Sequence, residues 1–163
     1  MKALLTQYAT YNVWANQKII DCIKNLPDEK INREIISSFP SIYKTIIHMW
    51  DAENIWWQRL KLSENIERPG ESFTGNFGEL VKAYIAQSKQ WEEWVGGAKD
   101  VQLNHVFAYQ NTKKEQFKQP VYEMLTHLFN HSTYHRGQLI MFLRQLKVDK
   151  IPPTDFIVFC RKK

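Results

Sequence analysis

In four separate stretches of this chain, apolar residues return every three or four positions, and that spacing constrains the fold more than any other property of the sequence. Near the start the series is Leu4, Tyr8, Tyr11, Ala15, Ile19, Cys22 and Leu26, the period of a helix with one buried face. Pro27-Asp28 closes it. A second helix is expected from about Ser41 to Leu62, with Ile42, Ile46, Met49, Trp56 and Leu60 on its stripe and Pro40-Ser41 as its start signal. A third runs from about Phe77 to Val95 and is stopped by Gly96-Gly97. The fourth covers Val121 to Lys147, with Pro120 in the place of a first helical residue. Four long amphipathic helices predict an all-α protein, a four-helix bundle.

The connections are longer than a simple up-and-down bundle needs, so crossover connections are expected. Residues 63–78 contain Pro69, Gly70, Gly75, Asn76 and Gly78 and read as a loop. Over 98–119, Leu103, His105, Phe107 and Tyr109 alternate with other residues, and Gln110-Asn111-Thr112-Lys113 supplies turn chemistry before Gln116-Phe117. That pattern predicts a short hairpin or extended excursion before the fourth helix. Pro152-Pro153 forbids helix in the tail, and the apolar Phe156-Ile157-Val158-Phe159 is expected to pack back on the body as a short strand.

With 163 residues, 44% of them apolar, the chain has the material for one folded domain with a single core, spanning 1–163. Cys22 and Cys160 share no CxxC spacing and are not a disulfide framework, which fits a reducing cytoplasm. No apolar run is long enough to span a bilayer, and the first residues have no signal-peptide core. A net charge of +5 raises nucleic acid as a partner, but the basic residues are dispersed among 17 acidic ones apart from the terminal Arg161-Lys162-Lys163. Neither nucleic acid nor a membrane is therefore expected as a partner.

Three of the five histidines, His127, His131 and His135, fall within nine residues of the fourth helix. Histidines at i and i+4 stand one above the other on one helix face. With His131 as the zero direction, the apolar stripe of this helix is centred near about 70°, His135 lies at about 40° and His127 at about −40°. His131 and His135 thus look into the bundle and His127 sits at the rim. Two readings stay open on spacing alone: a divalent-metal site, or partly buried core histidines bonded to their neighbours. Burying two imidazoles without partners costs a few kcal/mol, and a metal would satisfy both. A third ligand must come from another helix. His48 is a candidate at the shoulder of the second helix, Asp51 and Glu53 are candidate carboxylates, and His105 lies in the excursion. Arg59, eleven residues after His48 and on nearly the same line, could meet an anionic substrate group. Trp14, Trp56 and Tyr134 are candidates to line a pocket. No serine or cysteine stands at a readable spacing from a base.

The block Asn130-His131-Ser132-Thr133-Tyr134-His135-Arg136-Gly137-Gln138 closely resembles the signature of the DinB/YfiT-like metal-dependent four-helix bundles. Tyr11-Asn12-Val13-Trp14-Ala15-Asn16, Ile47-His48-Met49-Trp50-Asp51-Ala52-Glu53 and Pro153-Thr154-Asp155-Phe156 are similar to other segments of that family, in the same order. The resemblance implies a left-handed up-down-down-up bundle, a homodimer, and one divalent metal, zinc or nickel, held by His48, His131 and His135. It also implies a small-molecule substrate. Relatives with assigned activities include transferases that use a low-molecular-weight thiol as cofactor, and hydrolases. A non-enzymatic bundle, its metal sphere closed by Asp51, Glu53 or His127, is the alternative. Catalytic and other cofactor-binding residues carry no assignment.

Overall fold

The computed structural model describes residues 1–111 and 113–161. Its elements in chain order are α1 (Lys2–Ile23), α2 (Asp28–Asn32), α3 (Ile42–Leu60), α4 (Pro69–Ser72), α5 (Phe77–Gly97), α6 (Asp100–Asn104), β1 (Val106–Gln110), β2 (Gln116–Pro120), α7 (Val121–Gln145) and α8 (Phe156–Cys160). The four long helices α1, α3, α5 and α7 form a bundle in which α1 and α3 each pack against both α5 and α7.

Which helix ends meet follows from the two halves of the core. One half joins the C-terminal residues Ile19, Ile20 and Ile23 of α1 to Leu139, Phe142 and Leu143 late in α7, and to Ile42, Ile46, Leu80 and Tyr84 early in α3 and α5. The other joins Leu5 and Ala9 early in α1 and Val121 to Phe129 early in α7 to Trp91 and Val95 late in α5, with Trp56, Trp57 and Leu60 of α3 packed against them. Helices α1 and α7 therefore run one way and α3 and α5 the other, an up-down-down-up order. The parallel neighbours α3 and α5 require a connection as long as the bundle. Residues 61–76 provide it.

Local chemistry fixes the helix starts. The Ser41 hydroxyl accepts from the Lys44 N–H at 3.1 Å, and Asn76 and Glu79 exchange side-chain-to-backbone bonds in a capping box at the head of α5. Within the long connection, α4 docks on α3 because the Gly70 N–H donates to Asp51 Oδ1 at 2.7 Å. A Cβ at Gly70 would run into the Ile47 side chain and the Asp51 carboxylate, so only glycine permits that approach.

Several expected boundaries change. Helix α1 stops at Ile23, and Pro27 instead precedes the short α2. Gly96 and Gly97 lie in the last turn of α5 instead of stopping it, and Ala98 is its cap. Residues 100–104 are helical where an extended excursion was expected, with Gln102 Oε1 accepting from the Lys99 N–H at 2.8 Å and Leu103 buried. The hairpin itself is present, β1 antiparallel to β2 with Tyr109 opposite Phe117. Pro120 is the last residue of β2 and the cap of α7, one place earlier than a first helical residue.

Residues 156–160 form a helix where a strand was expected. Phe156 and Phe159 both contact Tyr11, at ring separations of 5.1 and 5.8 Å. Two residues three apart share a helix face but fall on opposite faces of a strand. Thr112, in the segment expected to turn, and Lys162 and Lys163, in the basic C-terminal sequence, lie outside the described residues. Both cysteines are free. Among the described residues, no helix is long and apolar enough to cross a membrane.

Candidate metal centre

Histidines 48, 131 and 135 come together between α3 and α7. His48 Nε2 lies 3.1 Å from His131 Nε2, which lies 3.1 Å from His135 Nε2. All three ligating atoms fall within 4.8 Å of one another. Nitrogens bound to one tetrahedral zinc at about 2.0–2.1 Å stand roughly 3.3 Å apart, so the spacing fits a single divalent ion.

Proton counting supports that fit. His135 is 4% exposed, and its Nδ1 lies 2.7 Å from Gln138 Oε1. A carbonyl oxygen only accepts, so Nδ1 carries the proton and Nε2 presents a lone pair to the other two rings. His131 Nε2 faces both of the other Nε2 atoms at 3.1 Å and offers either one proton or one lone pair, so in neither tautomer can it make a good hydrogen bond to each. Burial, then His135 and Arg68, lowers the His48 pKa to about 4. Burial, then His135, His48 and His127, lowers His131 to about 3. Burial also lowers His135, against the pull of Gln138. All three rings are neutral at pH 7, in the form that ligates metals.

The surroundings hold the rings still. Phe39 stacks on His48 at 3.9 Å and 18° and meets the edge of His135 at 5.6 Å. Tyr134, exposed on α7, packs edge-on against His135 at 5.0 Å.

The other candidates are elsewhere. His127 is exposed, as its wheel direction predicts, with its ring 6.0 Å from that of His131. His105 caps α6 at the surface. Asp51 is committed to Gly70. Trp14 packs on Phe159 at 5.5 Å, on α1 and away from the histidines. Trp56 meets His127 at 5.5 Å, and Arg59 lies 4.6 Å over Trp56.

Glu53 belongs to a different cluster, fully buried at the centre of the bundle. Arg136 Nη1 donates to Asn12 Oδ1 at 2.7 Å and Asn16 Oδ1 at 2.8 Å. Asn12 Nδ2 donates to Glu53 Oε1 at 3.1 Å. Asn16 Nδ2 donates to Ser88 Oγ at 3.1 Å, and that hydroxyl donates to Glu53 Oε2 at 2.8 Å. The circuit takes at least one polar side chain from each long helix. Burial pushes the Glu53 pKa up to about 7, against the opposing pull of Ser88, Asn12 and Arg136.

Gln138, Phe39 and this circuit were not assigned roles from the sequence. The signals existed: Gln138 is three residues after His135, on the same face, and Asn12 and Asn16 interrupt the apolar stripe of the first helix.

The model of the DinB family matches residues 1–160. The "Protein DinB" of Bacillus subtilis (strain 168) is 34% identical over 160 residues, covering 90% of this chain and 87% of that protein. A DinB-like protein from Bacillus cereus ATCC 10987 superposes with a TM-score of 0.71 at 21% identity, covering 91% of this chain and 94% of that one. YfiT from Bacillus subtilis, described as a probable metal-dependent hydrolase with an unusual four-helix bundle topology, superposes with a TM-score of 0.72 at 14% identity, covering 90% of each chain. On the family match across nearly all of its length, this chain belongs to the DinB family.

Proposed function

We propose that this protein is a divalent-metal-dependent enzyme acting on a small molecule, its metal held by His48, His131 and His135. The convergence of three Nε2 atoms within 4.8 Å carries the proposal. Among the described residues no carboxylate joins the three rings: Asp51 is held by Gly70 and Glu53 by Asn12 and Ser88. Three protein ligands with a free position characterise catalytic zinc sites, whereas structural sites are closed by a fourth. That favours an enzyme over a structural metal.

A divalent ion so held supplies Lewis acidity, lowering the pKa of a water or thiol in its free position. The chain's residues do the rest. Gln138 fixes the tautomer and tilt of His135. Phe39 fixes the plane of His48 and, with Tyr134, lines the site with aromatic surface. Hydrolysis comes first, supported by the description of YfiT. Transfer of a low-molecular-weight thiol would use the same position.

Metal analysis of protein purified without a histidine tag tests the reading. About one equivalent of zinc or nickel per chain is expected, lost when all three histidines become alanine. Metal that survives the triple substitution would overturn the site. Ester, amide and thiol-transfer panels on the loaded protein then separate the two chemistries.

A further inference from the structure

Arg59 ends the useful face of α3, and no acid neutralises it. The ion pairs among the described residues, Lys24–Asp21 and Arg68–Glu71, leave it out. Its Nε is buried and has no hydrogen-bond acceptor. Its guanidinium lies 4.6 Å over Trp56 and 5.2 Å over Tyr109. Stacking of that kind satisfies the faces of a guanidinium but leaves its in-plane N–H donors unused. Burial presses on the charge and lowers the pKa, a cost that a bound anion would offset.

Beside Arg59 is a cleft of about 510 Å³ between the end of α3 and the hairpin, with Ser63, Tyr109, Gln110 and Gln116 on its walls, a volume within the range of small-molecule sites. The cleft is connected to the three histidines by rings in contact. Arg59 lies on Trp56, Trp56 meets His127 at 5.5 Å, and His127 is 6.0 Å from His131. Arg59 follows His48 by eleven residues, about 16 Å along the helix axis, and helical side chains lean back toward the N-terminus, here toward His48.

We infer that the Arg59 cleft binds an oxyanion, a carboxylate or phosphate, at the far end of an elongated substrate whose other end reacts at the three histidines. The body of the substrate lies along Trp56 and His127. The inference rests on the metal-site reading above and adds the substrate's shape and charge. Glu64 also lines the cleft, beyond ion-pair distance of Arg59, and opposes anion binding there.

The test uses cobalt-loaded protein and a series of ω-mercaptoalkanoates of increasing length, each compared with its neutral terminal amide. Binding is read from thiolate-to-cobalt charge-transfer absorption. Once the chain is long enough to reach Arg59, the carboxylate should bind about tenfold tighter than the amide, the worth of one partly exposed charge-assisted bond. Shorter members should show no preference. Arg59→Gln should erase the preference of carboxylate over amide, and Glu64→Gln should enlarge it. Equal affinities at every length, or a preference that survives Arg59→Gln, would overturn the inference. A metal-free arm keeps the two readings apart: hexanoate and inorganic phosphate are titrated against the Arg59 Nε–H resonance. A saturable shift in wild type supports the anion cleft. Its absence overturns the cleft whatever the cobalt does, and failure to bind cobalt overturns the metal site alone.

Discussion

Helix α7 carries two polar clusters on adjacent residues, and they are opposites. His135 faces His48 and His131, three rings whose lone pairs converge with too few protons between them. Arg136, the next residue, is 2% exposed and sits in a circuit where Asn12, Asn16, Ser88 and Glu53 pass hydrogen bonds from donor to acceptor. The first cluster is incomplete in its hydrogen bonding, and the proposed cation would complete it. The second runs from Arg136 to Glu53 by two branches, one through Asn12 and one through Asn16 and Ser88, and ties all four long helices together, with the Arg136 Nε–H left over without an acceptor. Burial of polar groups alone does not mark a candidate site; several ring nitrogens converging on one point without the protons to bond one another do.

The largest effect belongs to the incomplete cluster. His131 contributes the nitrogen that both other rings face, so His131→Ala should weaken zinc affinity by on the order of a thousandfold or more, about 4 kcal/mol, since one of only three protein ligands is removed. His127→Ala, one turn earlier but outside the cluster, should stay within about twofold. Competition with a chromophoric chelator measures both. Equal losses would break the distinction between the two histidines.

The circuit should answer in stability. Arg136→Met leaves the side-chain oxygens of Asn12 and Asn16 without their donor in the core and removes the positive charge nearest Glu53, whose bonds from Asn12 and Ser88 remain, which costs about 3–5 kcal/mol. Urea unfolding of the metal-free protein reads it. A loss below about 1 kcal/mol would show that the circuit is not what joins the helices.

Much of this contrast was written in the sequence, though unevenly. The four helices follow from the apolar period, and the directions of His127, His131 and His135 from turns of the same wheel. A wheel reports direction about one axis only, so it placed His48 at a shoulder of α3 without showing that α7 stood opposite. The family signature supplied that pairing. Glu53 shows the limit most clearly: a carboxylate five residues from a candidate ligand histidine reads as a metal candidate, but it faces α1 and α5, a fact that depends on how four helices pack. Phe156 to Cys160 failed as a strand for a similar reason, since its partner Tyr11 is far away in the chain.

Gln138 sharpens the comparison because it serves the incomplete cluster without belonging to it. It accepts from His135 Nδ1 at 2.7 Å and so keeps the Nε2 lone pair inward. Gln138→Leu keeps the helix and the three ligands but frees that ring, and metal affinity should fall about 10–100-fold, the usual cost of losing such a partner. One equivalent of metal should still bind at saturation. An unchanged affinity would mean that packing against Phe39 and Tyr134 orients the ring by itself.

The two clusters also pull metal-free stability in opposite directions with pH. The histidines, lowered to about 4 and 3 at His48 and His131 from an ordinary 6.5, favour the fold when neutral. Their contribution is present above pH 6.5 and is lost as pH falls toward those values. Glu53, raised from 4.5 to about 7, favours the fold when protonated. Its contribution is complete below pH 4.5 and is lost as pH rises through 7. Glu53→Gln removes only the second slope. Between pH 5 and 7 the wild type should lose stability relative to the variant by on the order of 1 kcal/mol per pH unit, measured by urea unfolding of both metal-free proteins. The histidine slope cancels in the difference. Parallel stability curves would mean that Arg136 holds Glu53 ionised throughout, making the circuit a buried ion pair bridged by Asn12.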